Sequence, residues 1–271
     1  MPAKANSAIK YRIVLKPMLA EAAGDNMDLM DEMGLPAAAL PRRVAFFGGS
    51  FDPPHLGHLA VARAAQAALG LDQVLFAPVG AQPLKPGGSS VPFAERVEMT
   101  RLAISNEPGF ALSLADAPKA GGAPNFSWDT LTGLRQTLPA GGVLFCLIGA
   151  DSFTGMRRWH RGAEIPFLAP LIVASRPGER LDDLCALLPQ GLTLEQECEC
   201  STVAQGIAVQ HCLLRNSAGQ STPFYLLPGL EIEISATRIR EQLCQPEASD
   251  AAAGLLPAPV AAYIRARKLY L

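Results

Sequence analysis

The chain has 271 residues, of which 49% are hydrophobic and 18% charged, a composition typical of a globular protein with a sizeable core. Its net charge of −2 gives no basis for a nucleic-acid-binding or membrane-binding surface, and no apolar run approaches the roughly 18 residues of a membrane span. Lys10, Arg12 and Lys16 interrupt the apolar patch near the N-terminus, so we expect no secretory signal and a cytoplasmic protein.

Residues 1–41 are interpreted as an N-terminal extension outside the core. Basic residues lie between Lys4 and Lys16, and acidic residues follow between Glu21 and Glu32. This pattern is typical of a solvated tail or a loose helix. We therefore expect the folded domain to span residues 42–271.

The stretch from Val44 to Leu69 predicts a strand, a glycine loop and a helix. Four apolar residues precede the glycines, and alanines recur at helical spacing from His58 onward. Such a loop directs backbone N–H groups and the positive end of a helix at one point, which suits a phosphate. His55 and His58 lie where the loop meets the helix, three residues apart, so both could face one bound anion.

The rest of the chain alternates strand-like and helix-like segments, which predicts a Rossmann-like α/β fold. We expect a doubly wound parallel sheet with helices on both faces, in a single main domain with a C-terminal helical portion. Strands are predicted at 72–78, 110–115, 142–148 and 171–175, and helices at 93–104, 127–138, 179–190, from about 235 and at 257–268.

Residues 191–230 are the least regular part and are interpreted as an insertion or hairpin. Val203–Leu214 and Phe224–Leu227 have strand-like patterns, and the turn residues Asn216–Gly219 between them predict a hairpin. Cys198, Cys200, His211 and Cys212 could be read as a zinc site, but their spacing matches no common zinc motif. We expect reduced, free thiols instead.

Polar residues follow several of these elements, where open α/β sheets bind ligands. Asp151 comes just after the strand ending near Gly149, which favours a ribose contact over a simple helix-end charge. Ser127 and Ser235 are expected to cap helices, and the second of these helix starts could hold phosphate. Arg96 and Arg101 are expected to be exposed or to point at a ligand.

The string Gly-Gly-Ser-Phe-Asp-Pro-Pro-His-Leu-Gly-His, residues 48–58, resembles the signature of the nucleotidyltransferase superfamily with the His-x-Gly-His element. Further matches resemble the bacterial nicotinate-nucleotide adenylyltransferase family, which joins ATP and nicotinate mononucleotide into deamido-NAD. They cover roughly residues 43–178 and 232–271, most of the chain. The matching segments are residues 82–85, 125–131, 149–152, 159–160, 176–178 and 234–240.

The resemblance implies a role for each matching residue. His55, His58, Lys85 and Arg240 would act in catalysis, and Mg²⁺ would arrive with ATP, with no metal site built by the protein. The ATP-binding residues would be Gly48, Gly49, Ser50, Phe51, His55, His58, Gly149, Asp151, Ser235, Thr237 and Arg240. The mononucleotide-binding residues would be Lys85, Ser127, Trp128, Trp159, His160 and Arg176.

Some alternatives stay open at this point. Leu84 stands where the family has histidine, and both tryptophans could be core residues rather than partners of the pyridine ring. The substrate could instead be nicotinamide mononucleotide or that of another superfamily member, and a non-catalytic nucleotide-binding regulator is a further reading. The sequence leaves homo-oligomer formation open.

Overall fold

The computed structural model describes residues 41–85, 87–175, 186–195, 199–202, 207–228, 234–245 and 249–270. Residues 1–40 of the predicted extension, Arg176, Cys198 and most of the helix predicted at 179–190 lie outside this part of the chain. Among the described residues, no helix is long and apolar enough to cross a membrane.

Nine strands of the described residues form one sheet. They are β1 (Arg43–Gly49), β2 (Gln73–Pro78), β3 (Phe110–Leu112), β4 (Val143–Gly149), β5 (Leu171–Ala174), β6 (Leu192–Leu194), β7 (Glu199–Thr202), β8 (Ala208–Asn216) and β9 (Ser221–Leu227). The first five confirm the strands predicted from apolar runs, although β3 is shorter than expected.

The helices fall between these strands and after the last one. They are α1 (Leu56–Leu69), α2 (Phe93–Ala103), α3 (Ser127–Gln136), α4 (Ala150–Gly155), α5 (Ile165–Leu168), α6 (Ala236–Leu243), α7 (Ser249–Ala253) and α8 (Ala258–Arg267). Helix α1 starts two residues earlier than the sequence predicts, with His55 at its N-cap, and ends at Gly70 in the left-handed conformation (φ 57°).

The order of the sheet is β3-β2-β1-β4-β5-β9-β8-β6, with β7 also paired to β8. The pairs from β3 to β9 are parallel, whereas β8 pairs antiparallel with β6, β7 and β9. The chain runs outward from β1 to β3 and then returns to place β4 on the other side of β1. This reversal makes the β1–β4 boundary the switch point at which such sheets bind ligands.

Helices cover both faces of the sheet, as predicted. Strand β1 shows why, because its alternate residues enter two separate cores: Ala45 and Phe47 pack on one face, Val44 and Phe46 on the other. The first core contains residues of α1, α2, α6 and α8, and the second contains residues of α3, α4 and α5. The doubly wound α/β prediction is therefore confirmed.

The irregular segment after residue 191 joins the same sheet where it is described. Strands β8 and β9 form the predicted hairpin, with Arg215 opposite Ser221 and a turn in which Asn216 Oδ1 accepts from the N–H groups of Ala218 and Gln220. Strand β9 also pairs with β5, so the hairpin extends the parallel sheet. Residues 186–190, the described end of the helix predicted at 179–190, form turns.

Two expectations about the cysteines and the helix caps are corrected. Cys212 is disulfide-bonded, so the expectation of free thiols is wrong there, although Cys200 is free. Ser127 is the first residue of α3 rather than its cap, because Phe126 has extended backbone angles and its carbonyl accepts the first helical hydrogen bonds. Ser235 does occupy the N-cap of α6, but its side chain makes no capping hydrogen bond.

Candidate active site

A cleft of about 580 Å³ opens at the carboxyl ends of β1, β2, β4 and β5. This is the volume of a small-molecule site, and it lies at the switch point between β1 and β4. The cleft collects most of the residues that the sequence singles out. The site residues predicted from the sequence that line the cleft are Gly48, Gly49, Ser50, Phe51, His55, His58, Lys85, Ser127, Gly149, Asp151, Trp159, His160, Ser235, Thr237 and Arg240.

The two histidines form a stacked pair at the start of α1. Their rings lie 3.7 Å apart between centroids, at an interplanar angle of 26°. The backbone N–H of His55 donates to His58 Nδ1 over 3.1 Å, so the ring proton of a neutral His58 is on Nε2. The tautomer therefore follows from a backbone contact made by the neighbouring histidine, and it leaves Nε2–H of His58 as a donor.

Burial keeps both rings neutral near pH 7. Desolvation lowers the pKa of His55 to about 4, and His55 is only 7% exposed. Desolvation also lowers the pKa of His58 well below its ordinary value, and the nearby His55 adds to this effect. Without a bound anion the pair thus provides neutral N–H donors rather than two cations.

The position of Gly48, at the end of β1 where the glycine loop begins, has no room for a side chain. A Cβ atom at Gly48 would come within 2.6 Å of the Phe46 ring, so a side chain there would force the ring to move. Phe51, also in this loop, has a positive φ of 47° and is almost fully buried. The loop backbone therefore borders the cleft directly.

Arg96 is buried and donates a hydrogen bond to the backbone of this loop. The expectation of an exposed or ligand-facing side chain is therefore wrong. The Arg96 guanidinium donates to the carbonyl of Ser50 over 2.7 Å and to that of Val79 over 2.8 Å. These carbonyls follow two adjacent parallel strands, and a fixed fork of donors joins them. Arg101 is exposed and pairs with Glu98 on its own helix.

Lys85 approaches the glycine loop from the segment after β2. Its Nζ donates to Ser50 Oγ over 3.3 Å, and Ser50 Oγ in turn donates to Gln82 Oε1 over 3.1 Å. Lys85 is exposed, as is Leu84, which is 40% exposed and also borders the cleft. Lys85 thus places a cation next to the glycine loop.

Arg240 reaches the cleft from the short helix α6, in whose last turn it lies. Its Nη1 donates to the backbone carbonyl of Asp52 over 2.7 Å, and its Nη2 donates to Thr237 Oγ1 over 3.2 Å. The second helix start predicted from the sequence therefore lines the same cleft as the first one, and Arg240 contacts the loop that leads to His55. The histidine pair and Arg240 are 182 or more positions apart in the chain and meet only through the fold.

The other end of the cleft is lined by aromatic and polar residues from two segments. Phe126 and Ser127 come from the start of α3, and Trp159 and His160 follow the turn after α4. The rings of Phe126 and His160 approach to 4.7 Å between centroids. These segments match those that the resemblance assigns to the mononucleotide.

Trp128 is not brought to the cleft. It packs at the edge of the second core, and the guanidinium of Arg161 lies 3.9 Å from the centroid of its ring. A cation–π contact of this kind covers one face of the indole. Of the two tryptophans that the sequence offers as stacking partners, only Trp159 lines the cleft.

Several residues of the cleft were missed by sequence reasoning. Arg158 is exposed and lines the cleft, whereas the adjacent Arg157 points away and donates to the carbonyls of Ala186 and Leu188. Asp116 is buried at the cleft wall, where burial raises its pKa and Thr130 donates to its Oδ1 over 2.7 Å. Neither residue belongs to a recognisable motif, so only its position in space reveals it.

The comparisons with known proteins agree with this arrangement. Residues 46–242 match the profile of the family described as cytidylyltransferase-like. A protein of Gloeobacter violaceus named "Probable nicotinate-nucleotide adenylyltransferase" is 38% identical over 84% of this chain and 96% of its own length. A protein of the same name from Trichlorobacter lovleyi is 36% identical over 84% of this chain and 99% of its own length.

Solved structures share the fold at much lower identity. The nicotinic acid mononucleotide adenylyltransferase of Plasmodium falciparum, in complex with NaAD, superposes with a TM-score of 0.60 at 14% identity, covering 84% of this chain and 97% of that one. The fold, the cleft and the family profile lead to one assignment. The chain belongs to the cytidylyltransferase-like family and, within it, to the nicotinate-nucleotide adenylyltransferases.

Proposed function

We propose that this protein transfers the adenylyl group of ATP to nicotinate mononucleotide, giving deamido-NAD and pyrophosphate in NAD biosynthesis. One observation supports this most strongly: the His55–His58 pair and Arg240 line one cleft at the sheet's switch point. Two solved structures of the Plasmodium enzyme support it as well, since one is in complex with NaAD and the other with APC.

The proposed reaction needs no general base. The 5′-phosphate of the mononucleotide is already an anion near pH 7, and it attacks the α-phosphorus of ATP. One P–O bond forms while the bond from the α-phosphorus to the bridging oxygen breaks, and that electron pair leaves with pyrophosphate. Catalysis then consists of alignment and charge stabilisation, for which preorganised donors are suited.

We assign the ATP phosphates to the glycine-loop end of the cleft. His58 would donate from Nε2–H and His55 from the adjoining ring, while Arg240 would bind the triphosphate from the opposite side. Lys85, whose ammonium group lies near Ser50, would stabilise the negative charge that develops on the transferred phosphoryl group. Asp151 would contact a ribose at the end of β4, and Ser235 and Thr237 would contact phosphate at the start of α6.

We propose that Mg²⁺ enters with ATP and is bound by phosphate oxygens. Mg²⁺ commonly binds through substrate phosphates rather than through a cage made only of protein ligands. When bound, Mg²⁺ would neutralise charge on the β- and γ-phosphates. The protein's own part is to orient those phosphates through His58, Arg240 and Lys85.

The mononucleotide is assigned to the aromatic end. Trp159 would stack on the pyridine ring, and Ser127 and His160 would direct polar groups toward the carboxylate. Backbone N–H groups at the start of α3 favour an anion at this position. We therefore expect the acid to be preferred over the amide by at least about a hundredfold in kcat/KM.

Pyrophosphate release tests the proposal directly. The purified protein is incubated with ATP and Mg²⁺ and, in separate reactions, nicotinate mononucleotide, nicotinamide mononucleotide or phosphopantetheine, with CTP replacing ATP in a further set. We expect rapid release only with ATP and nicotinate mononucleotide, and a loss of about a hundredfold or more in His58→Ala. Equal rates with both pyridine mononucleotides would refute the acid preference, and no release with any pair would refute the activity.

A further inference from the structure

The C-terminal residues return to the phosphate-binding loop and contact it through one side chain. Tyr270 follows the end of α8, and its hydroxyl donates to Asp52 Oδ1 over 2.6 Å. Asp52 belongs to the loop between Gly49 and His55 and is only 4% exposed. The last described residue of the chain therefore binds a buried carboxylate at the edge of the active-site cleft.

Asp52 is a junction of three segments. Its Oδ1 accepts from Tyr270 and its Oδ2 accepts from the backbone N–H of Ser90 over 2.6 Å, in the segment that carries Lys85. Its backbone carbonyl accepts from Arg240. Both carboxylate oxygens are thus satisfied by neutral donors, although a guanidinium is bonded to the same residue.

Further hydrogen bonds at Tyr270 and at the preceding residue hold this part of the chain in place. Cys244, at the C-terminal end of α6, donates from Sγ to the carbonyl of Tyr270 over 3.0 Å, and the N–H of Leu269 donates to the carbonyl of Ile264. Burial and the hydrogen bond to Asp52 raise the pKa of Tyr270, so its hydroxyl stays protonated and remains a donor. Helix α6 therefore carries Arg240 in its last turn and contacts Tyr270 through Cys244 at its C-terminal end.

A carboxylate next to Arg240 is a competitor for any phosphate that Arg240 binds. Arginine–carboxylate pairs are strong and frequently bidentate, and burial strengthens them further. The guanidinium of Arg240 already lies 2.7 Å from the Asp52 carbonyl oxygen. It also acts electrostatically on the Tyr270 hydroxyl, as does that of Arg96, so a free Oδ1 would have the charged donor of Arg240 close by. The Tyr270 hydroxyl occupies that oxygen with a neutral donor instead.

We propose that Tyr270 is a positioning residue: it binds the Asp52 carboxylate and thereby keeps the Arg240 guanidinium available for the phosphates of ATP. Tyr270 itself touches no substrate in this assignment. The inference rests on the proposed function to the extent that Arg240 binds ATP. It adds a role for the C-terminal residues, which lie outside the cleft.

The test compares Tyr270→Phe with a matched control, Tyr263→Phe. Tyr263 donates to Glu95 Oε2 over 2.8 Å, which is the same kind of hydroxyl–carboxylate bond, made from helix α8 and away from the cleft. ATP binding to the full-length protein is measured by calorimetry, and KM for both substrates by pyrophosphate release. Tyr270→Phe should weaken ATP binding by about tenfold, equivalent to about 1.4 kcal/mol, with KM for the mononucleotide unchanged. Tyr263→Phe should leave both values unchanged.

A second substitution separates charge competition from a loosened loop. In the double variant Tyr270→Phe with Asp52→Asn, no carboxylate remains to pair with Arg240, so ATP affinity should return to within about threefold of the original value. A loosened loop would instead bind ATP more weakly still. Unchanged ATP affinity in Tyr270→Phe, equal losses for both substrates, or a deeper loss in the double variant would overturn the proposal. Absence of activity in the unsubstituted protein would refute the proposed function instead, because ATP binding is measured independently.

Discussion

The imidazole rings of His55 and His58 stack 3.7 Å apart, and a backbone N–H of the first donates to Nδ1 of the second. Two histidines in a phosphate site would ordinarily be taken as two cations. Here burial lowers both pKa values, so the pair is neutral near pH 7 until an anion binds. In the proposed function the pair would donate hydrogen bonds as neutral imidazoles and could take up a proton once an anion is bound.

This neutrality predicts a fall in stability at acid pH. His55 has a folded-state pKa of about 4 against about 6.5 when unfolded, so between these values the unfolded chain binds more protons. Its contribution to the free energy of unfolding is fully present above about pH 6.5 and lost as the pH falls toward 4, on the order of 3 kcal/mol. Urea denaturation at pH 7 and pH 4.5 should show a smaller loss for His55→Gln. Parallel losses in the variant and the unsubstituted protein would contradict the assigned cause.

The two tryptophans are expected to behave differently. Trp159 lines the cleft, whereas the ring of Trp128 is covered by Arg161. Trp159→Ala should therefore raise KM for nicotinate mononucleotide more than KM for ATP, because a stacking surface is lost. Trp128→Ala should mainly lower the melting temperature. Steady-state kinetics with each substrate varied in turn, together with thermal melts, would reveal the reverse pattern if Trp128 were the stacking residue.

Arg158 is expected to contribute to the choice of the acid over the amide. A Cβ atom at Gly155 would lie 3.7 Å from Trp159 Nε1 and 3.8 Å from Arg158 Nη2, so the guanidinium and the indole N–H lie on the same side of the cleft, next to Gly155. A cation there would attract a carboxylate that the amide lacks. Arg158→Ala should lower kcat/KM for nicotinate mononucleotide by about tenfold with little change for nicotinamide mononucleotide.

The adjacent arginine provides the control for that experiment. Arg157 donates to backbone carbonyls of residues 186 and 188 rather than facing the cleft. Arg157→Ala should reduce stability but leave the ratio of the two kcat/KM values unchanged. If both variants lowered that ratio equally, the effect would come from a shifted turn and not from the charge of Arg158.

We expect Lys85 to contribute more to the reaction rate than the adjacent Leu84. Lys85 Nζ lies 3.3 Å from Ser50 Oγ, while Leu84 is an exposed apolar side chain at the cleft. Lys85→Ala should lower kcat by about tenfold or more, because a cation near the phosphates is lost. Leu84→His, which introduces the residue of the resembled family, should retain or raise the rate. A Lys85→Ala variant with an unchanged rate would count against this division of roles.

The sequence alone determined the fold class and the place of the glycine loop with its two histidines, because both depend on local patterns. Short apolar runs predict β1, β2, β4 and β5, and the segments between them have the apolar spacing of helices. The glycines before His55 predict a tight turn at the end of β1. The residues of both helix starts, including Arg240, were identifiable for the same reason: their motifs are short and continuous.

Only the tertiary structure decided what depends on burial and on distant partners. Arg96 looks like a surface residue of an amphipathic helix, but it is buried where it can join the ends of two strands. Trp128 and Trp159 are equivalent in the sequence, and a cation from another segment covers one of them. Tyr270 reaches Asp52 across 218 positions of the chain, a relationship that no local pattern records. Such contacts depend on how the helices pack on the two sheet faces, and packing is a property of the whole chain.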